Sequence, residues 1–215
     1  MSDAFITLFL NHDFSKGSLS GLSSQSTARQ GNALGILGVG SGILASLLAV
    51  GFPPELLAQF AGVAAVGSTI GAIIGRRITA TELPQMVAAL HSVVGLAAVF
   101  TSIGSVLADP SHLSVLHQVT AYLGVVIGGI TFTGSVVAFL KLAGKIGSRP
   151  LMMPGRHLIN SGLLGANALT MAAFVSAAPT VPLVAAGYLG ASTILSFIKG
   201  FTTTAAIGGA DMREC

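Results

Sequence analysis

Charge is what this sequence has least of: 8% of its residues are Asp, Glu, Lys or Arg, while 52% are hydrophobic. Soluble globular domains carry about 25% charged residues, and disordered chains are poor in apolar ones, so both classes are excluded. Cysteine is nearly absent. The one thiol, Cys215, has no partner for an internal disulfide, so nothing points to an oxidising compartment. The first ten residues, MSDAFITLFL, hold Asp3 and no basic residue. That pattern is neither a secretory signal nor an arginine-rich transit peptide, so any organellar address is expected from the internal spans or from outside this chain. The histidines are too scattered for metal-ligand spacing, and no metal site is expected.

What is there is a set of long stretches without formal charge: Gln30–Pro54, Leu56–Gly75, Leu83–Ala108, His117–Leu140 and Leu158–Ile198. A bilayer core of about 30 Å is crossed by roughly 20 apolar helical residues, so the first four are one span each. The last would make roughly 60 Å of continuous helix, twice what is needed. Pro179 and Pro182 divide it into two crossings, with a turn near Ala177–Pro182. The sequence therefore predicts an all-α, polytopic transmembrane bundle of about six helices. Residues 1–31 read as a polar lead-in, 32–207 as the membrane domain, and 208–215 as a truncated C-terminus.

Six crossings place every lysine and arginine on one side. Lys16 and Arg29 precede the first span, Arg76 and Arg77 separate the second from the third, and Lys141, Lys145, Arg149 and Arg156 separate the fourth from the fifth. Lys199 and Arg213 follow the sixth, whereas a single span over Leu158–Ile198 would put Lys199 on the wrong side. The positive-inside rule makes the basic side cytoplasm or mitochondrial matrix. The net charge of +3 is thus explained by topology, and nucleic acid is not expected as a partner.

Glycine is abundant, at 28 residues. Gly67, Gly71 and Gly75 form a GxxxGxxxG ridge on the second span, and Gly124 and Gly128 repeat the device on the fourth; both predict close helix contacts. The GVGSG run at Gly38–Gly42 lacks the spacing and the preceding strand of a dinucleotide loop, so helix packing explains it better. Thr131, Thr133 and Ser135 admit two readings, a wet path or hydroxyls bonded back to their own helix. Asn160 and Asn167 share one face of the fifth span, where interhelical bonding is expected at about 1 kcal/mol or less.

His91 stands apart because it lies inside the third span, and intramembrane ionisable groups are functional candidates. A neutral imidazole beside a water chain can take and return a proton. The competing reading is a neutral histidine bonded to a carbonyl of a neighbouring helix. His112 and His117 read as solvated, and His157 as an interfacial anchor.

Several longer strings carry a resemblance. They are GLSSQSTARQGNALG at Gly21–Gly35, TELPQMVAALHSVVGLAAV at Thr81–Val99, GGITFTGSVVAFLKLAGKI at Gly128–Ile146, RPLMMPGRHLIN at Arg149–Asn160 and GGADM at Gly208–Met212. Together they resemble the membrane part of proton-translocating NAD(P) transhydrogenase, over about Gly21–Met212. The resemblance implies coupling of hydride transfer from NADH to NADP⁺ to proton movement across the membrane. The family's membrane histidine falls in the LHS tripeptide and matches His91. The acidic residue of the GGAD motif matches Asp211, which by the resemblance begins the GGAD helix within 208–215 near the NADP domain, and Glu82 fits at the basic-side mouth of the third span. NAD and NADP are implied as cofactors of nucleotide-binding domains outside this chain, which itself is expected to bind no cofactor. The implied partners are those domains, the lipid bilayer and a second copy in a homodimer. The implied location is the mitochondrial inner membrane, with the bacterial plasma membrane as alternative.

The departures also shape the expectation. After GGADM the family continues into a further helix, whereas here the chain reads Arg213–Glu214–Cys215, and Met1–Ser18 matches no expected family helix. The chain therefore reads as a membrane core without either nucleotide site, inactive alone in hydride transfer. Two rival readings are a small proton-coupled secondary transporter, for which no convincing internal repeat is found, and a non-catalytic truncated product.

Overall fold

In the computed structural model, which describes residues 14, 16–108, 113–177 and 182–208, six helices are long and apolar enough to cross a membrane. They are α1 (Ala28–Val50), α2 (Pro54–Arg77), α3 (Leu83–Ala108), α4 (Val115–Leu142), α5 (Arg156–Ala177) and α6 (Pro182–Ala205). No strand occurs among the described residues. The all-α, six-span expectation is met, and the reason is general: in hydrocarbon the backbone must satisfy its own hydrogen bonds, which a helix does within one segment. The long Leu158–Ile198 stretch is two helices, as its prolines predict, with Pro182 opening α6 where a missing N–H costs nothing.

The chain divides into two units, residues 1–76 and residues 77–215. In the first, residues 16–22 are helical and return along the start of α1. The contact is glycine on glycine: a Cβ on Gly21 would lie 2.6 Å from the Gly31 Cα, and one on Gly31 would lie 2.7 Å from the Leu22 nitrogen. The Thr27 hydroxyl closes the turn by donating to the Gly21 carbonyl at 2.7 Å. Gly51 ends α1 in the left-handed region, φ 64°, and its N–H donates to the Leu47 carbonyl. Pro53 and Pro54 then prevent continuation, so α2 starts as a separate helix.

Gly67, Gly71 and Gly75 were predicted to form a packing ridge on α2. Among the described residues of the first unit, a Cβ on any of them would meet nothing within 4 Å, so this ridge is not the contact between α2 and α1. Four-residue spacing places glycines on one helix face but does not say which helix that face meets.

In the second unit α4 lies between α3 and α6, and α5 packs chiefly on α6. Two glycine faces of α4 make this possible. Gly128 meets α3, where an added Cβ would lie 2.6 Å from the Gly95 carbonyl oxygen and 3.1 Å from Val99. Gly129, about 100° further round the helix, meets α6, where a Cβ would lie 2.7 Å from that of Ser196. The contact predicted from Gly124 and Gly128 is therefore present, while its strongest partner is the isolated Gly95. At the far end from the basic loops, Val106, Tyr122, Val125, Phe174 and Leu189 form a buried cluster. The Tyr122 and Phe174 rings pack tilted with centroids 5.7 Å apart.

Lys141 and Lys199 also differ from expectation. Both were placed outside the spans, but Lys141 lies in the last turn of α4 and Lys199 lies within α6. Their ammonium groups reach backbone at the same end of the bundle. Lys141 donates to the Ala205 and Ile207 carbonyls at 2.8 and 2.6 Å, and Lys199 donates to the Asn160 carbonyl at 3.1 Å. A long aliphatic stem lets a helix continue past its cation while the charge finds polar groups near the interface. These contacts gather the end of α4, the start of α5 and the end of α6, the arrangement that two crossings over Leu158–Ile198 require.

Candidate functional site

His91 is the ninth residue of α3, about 12 Å along the helix from Leu83. Its ring is exposed, and Nδ1 lies 2.8 Å from the Val87 carbonyl oxygen one turn earlier. A carbonyl only accepts, so this bond requires Nδ1–H, and in the neutral ring Nε2 then carries the lone pair. The imidazole is thus held by its own helix, not by a neighbour as the competing reading had it, and it presents one basic nitrogen outward. One turn further on is Gly95, where a Cβ would lie 2.7 Å from the Gly128 carbonyl oxygen of α4 and 3.1 Å from the Thr131 Cβ. His91 therefore sits beside the α3–α4 seam.

The hydroxyls of α4 divide between the two readings. Thr133 donates to the Phe197 carbonyl of α6 at 2.8 Å, with its own Gly129 carbonyl at 3.2 Å, so it serves as interhelical glue. The Thr131 and Ser135 hydroxyls make no hydrogen bond among the described residues, and both residues are only partly buried.

Glu82 lies just before α3. Its Oε2 accepts from the Thr79 N–H at 3.1 Å and from the Thr79 hydroxyl at 2.8 Å. This is the backbone half of a Thr-x-x-Glu capping box, and the spacing was legible in the sequence. The Thr79 hydroxyl first, then its N–H, holds the carboxyl below the usual carboxylate range, against a smaller opposing effect of desolvation. A depressed value means that ionised Glu82 favours the folded turn at neutral pH. That contribution is lost as pH falls from the unfolded value, about 4.3, through the lower folded one. Glu82→Gln is expected to remove this acid sensitivity from the start of α3, as measured by amide exchange of residues 82–86 at about pH 3 and pH 6. An unchanged profile would mean that the carboxylate does not form the cap.

Glu82 and His91 share no contact among the described residues, and Asp211 lies outside those residues. The asparagines behave as expected of interhelical partners. Asn167 Oδ1 accepts from Ser192 at 3.0 Å, with Ser196 at 3.5 Å, and Asn160 Oδ1 accepts from Thr202 at 2.8 Å. Sequence reasoning missed Tyr122, which is 1% exposed and whose hydroxyl lies 2.9 Å from the Asn167 carbonyl and 2.5 Å from the Thr170 hydroxyl. It also missed Gln118, which is buried and donates to the Leu113 carbonyl at 3.1 Å. Neither position breaks the apolar run strongly enough to stand out. His117 is exposed, as expected, and its Nε2 also lies 3.2 Å from the Ser105 hydroxyl of α3.

Comparison with known proteins gives one consistent answer. The family described as "NAD(P) transhydrogenase beta subunit" matches residues 9–213. The match begins twelve residues before Gly21, so it includes part of the lead-in that the quoted motifs left outside. Two curated relatives from Rhodospirillum rubrum, each described as NAD(P) transhydrogenase subunit beta, are 38% identical over 201 residues. The alignment covers 90% of this chain and 42% of each relative, so the chain spans less than half the length of the proteins it matches.

Proposed function

This chain belongs to the NAD(P) transhydrogenase beta subunit family, and from that premise we propose that it forms the proton-translocating membrane segment of a transhydrogenase. The observation that carries the proposal is the family match across residues 9–213, which includes every described span. In this reading His91 takes up and returns the proton. Nδ1 is occupied by the Val87 carbonyl, so Nε2 is the nitrogen that exchanges the proton in this reading. Glu82 acts at the mouth of α3 by holding negative charge beside the path, and Asp211 links the segment to the nucleotide-binding parts.

Hydride transfer from NADH to NADP⁺ is assigned to nucleotide-binding domains of the complete enzyme, with NAD and NADP as their cofactors. This chain supplies the coupling, and the complete enzyme is a homodimer in the bilayer. The basic loops face the cytoplasm or the matrix. The motif resemblance favours the mitochondrial inner membrane, while the Rhodospirillum rubrum relatives support the bacterial plasma membrane.

The test is to substitute this chain for the corresponding segment of a complete transhydrogenase in sealed vesicles. Hydride exchange should respond to an imposed pH gradient and should itself acidify one compartment. Exchange indifferent to the gradient in tightly sealed vesicles would reject the assignment. Orientation has its own check, since Cys215 is the only thiol. After six crossings it should share a compartment with Arg29, Arg76 and Lys145. A membrane-impermeant maleimide is therefore expected to label inverted vesicles and spare right-side-out ones. Labelling from the outer face would break the charge argument.

A further inference from the structure

The basic end of the second unit holds a cleft of about 320 Å³ bounded by the end of α4, the loop after it and the end of α6. Its walls include Val137, Lys141, Ile146, Arg149, Leu151 and Phe201. Two features separate it from an ordinary interhelical gap. First, Lys141 is only 7% exposed, an unusual burial for an ammonium group. Among the described residues, two of its three N–H donors are taken, by the Ala205 and Ile207 carbonyls. Second, Ile146, Leu151 and Phe201 are 41–51% exposed beside these cations, so apolar surface and positive charge meet at one level.

From Lys141 to Arg156 the chain carries Lys141, Lys145, Arg149 and Arg156 and no Asp or Glu. Topology alone asks only that such residues lie on one side of the membrane. It does not ask that one be buried in a cleft with a second at its rim. A ligand that suits the site carries a phosphate for the cations and hydrocarbon for the flanking surface, and it is met at the depth where helix ends leave the bilayer. Basic pockets between transmembrane helices on this side accept anionic headgroups for the same reason.

We propose that this cleft binds an anionic phospholipid, its phosphate between the Lys141 ammonium and the Arg149 guanidinium and an acyl chain against Val137 and Phe201. The guanidinium offers paired donors to phosphate oxygens, and Lys141 contributes a fixed point charge. The bound lipid would brace the loop between α4 and α5 against the end of α6, where the Leu151 N–H already donates to the Ala205 carbonyl at 2.9 Å.

The test uses the full 215-residue chain in detergent, with phosphatidylglycerol or phosphatidylcholine added and the bound lipid read by native mass spectrometry. Phosphatidylglycerol should be retained in preference. Arg149→Gln should lower its apparent affinity about 5-fold, the effect of one cation near an anionic headgroup. Arg149 is exposed and makes no hydrogen bond among the described residues, so this variant leaves every described hydrogen bond in place. Lys141→Gln is unsuited because it also removes the cap on α6. Arg156→Gln, outside the cleft, should change affinity less than about 2-fold. Equal losses from the two arginine variants would mean diffuse attraction to the loop and would overturn the site. So would equal retention of phosphatidylcholine. Displacement of the lipid by excess inorganic phosphate would assign the cleft to free phosphate instead.

Discussion

His91→Ala, introduced at the matching position of a full-length relative, is expected to slow coupled proton movement by about 10²-fold or more, the usual loss when a proton-transfer side chain is deleted. The nucleotide-binding domains isolated from the membrane segment should exchange hydride at the unmodified rate, because the path through α3 is not part of that chemistry. His91→Gln separates the two readings of the residue. Glutamine can bond to the Val87 carbonyl through its amide, as Nδ1–H does at 2.8 Å, but it cannot titrate. A purely structural histidine would be rescued by glutamine, and a proton carrier would not. Proton movement measured with a pH-sensitive dye in sealed vesicles reads the difference directly. An unmodified rate in His91→Ala would remove His91 from the proton path.

Gly128→Ala should destabilise the second unit by about 1–3 kcal/mol, the range for forcing extra volume into a packed contact. The new methyl group would lie 2.6 Å from the Gly95 carbonyl oxygen and 3.1 Å from Ala98 and Val99. Backbone cannot rotate aside as a side chain can, so α3 and α4 would have to separate along the seam beside His91. Gly104→Ala is the matched control on α3. An added Cβ there meets nothing within 4 Å, and its effect should stay within about 0.5 kcal/mol. Reversible unfolding of the chain in mixed micelles would compare the two. Equal stabilities would mean that the α3–α4 seam tolerates another methyl group and does not fix the position of His91. A Gly128→Ala protein that folds but loses coupling when placed in a complete enzyme would tie the seam to proton movement.

How much of this could be read from residue order depends on the range of the physics involved. The spans were legible because apolar length and the need to satisfy backbone hydrogen bonds act along one segment. The division of Leu158–Ile198 was legible because proline acts on its own helix. Asn160 and Asn167 share a face by spacing alone, and that face does meet Thr202 and Ser192. The Thr79–Glu82 cap was equally local, although the sequence reading gave Glu82 only its place at the mouth of the span.

Partnership was not legible. Among the described residues of the first unit the regular ridge of Gly67, Gly71 and Gly75 contacts nothing within 4 Å, while Gly95, with no partner in its own pattern, meets the backbone of α4 in the second. Spacing determines which residues share a face, but only packing of separate helices determines which faces meet. The same holds for charge. Residue order put Lys141 on the basic side, yet its burial and its bonds to the Ala205 and Ile207 carbonyls depend on where α6 ends beside α4. For His91 the sequence determined an ionisable group within a span. Tertiary structure decided that it stands beside the α3–α4 seam, because the absence of a side chain at Gly95 lets α4 approach there.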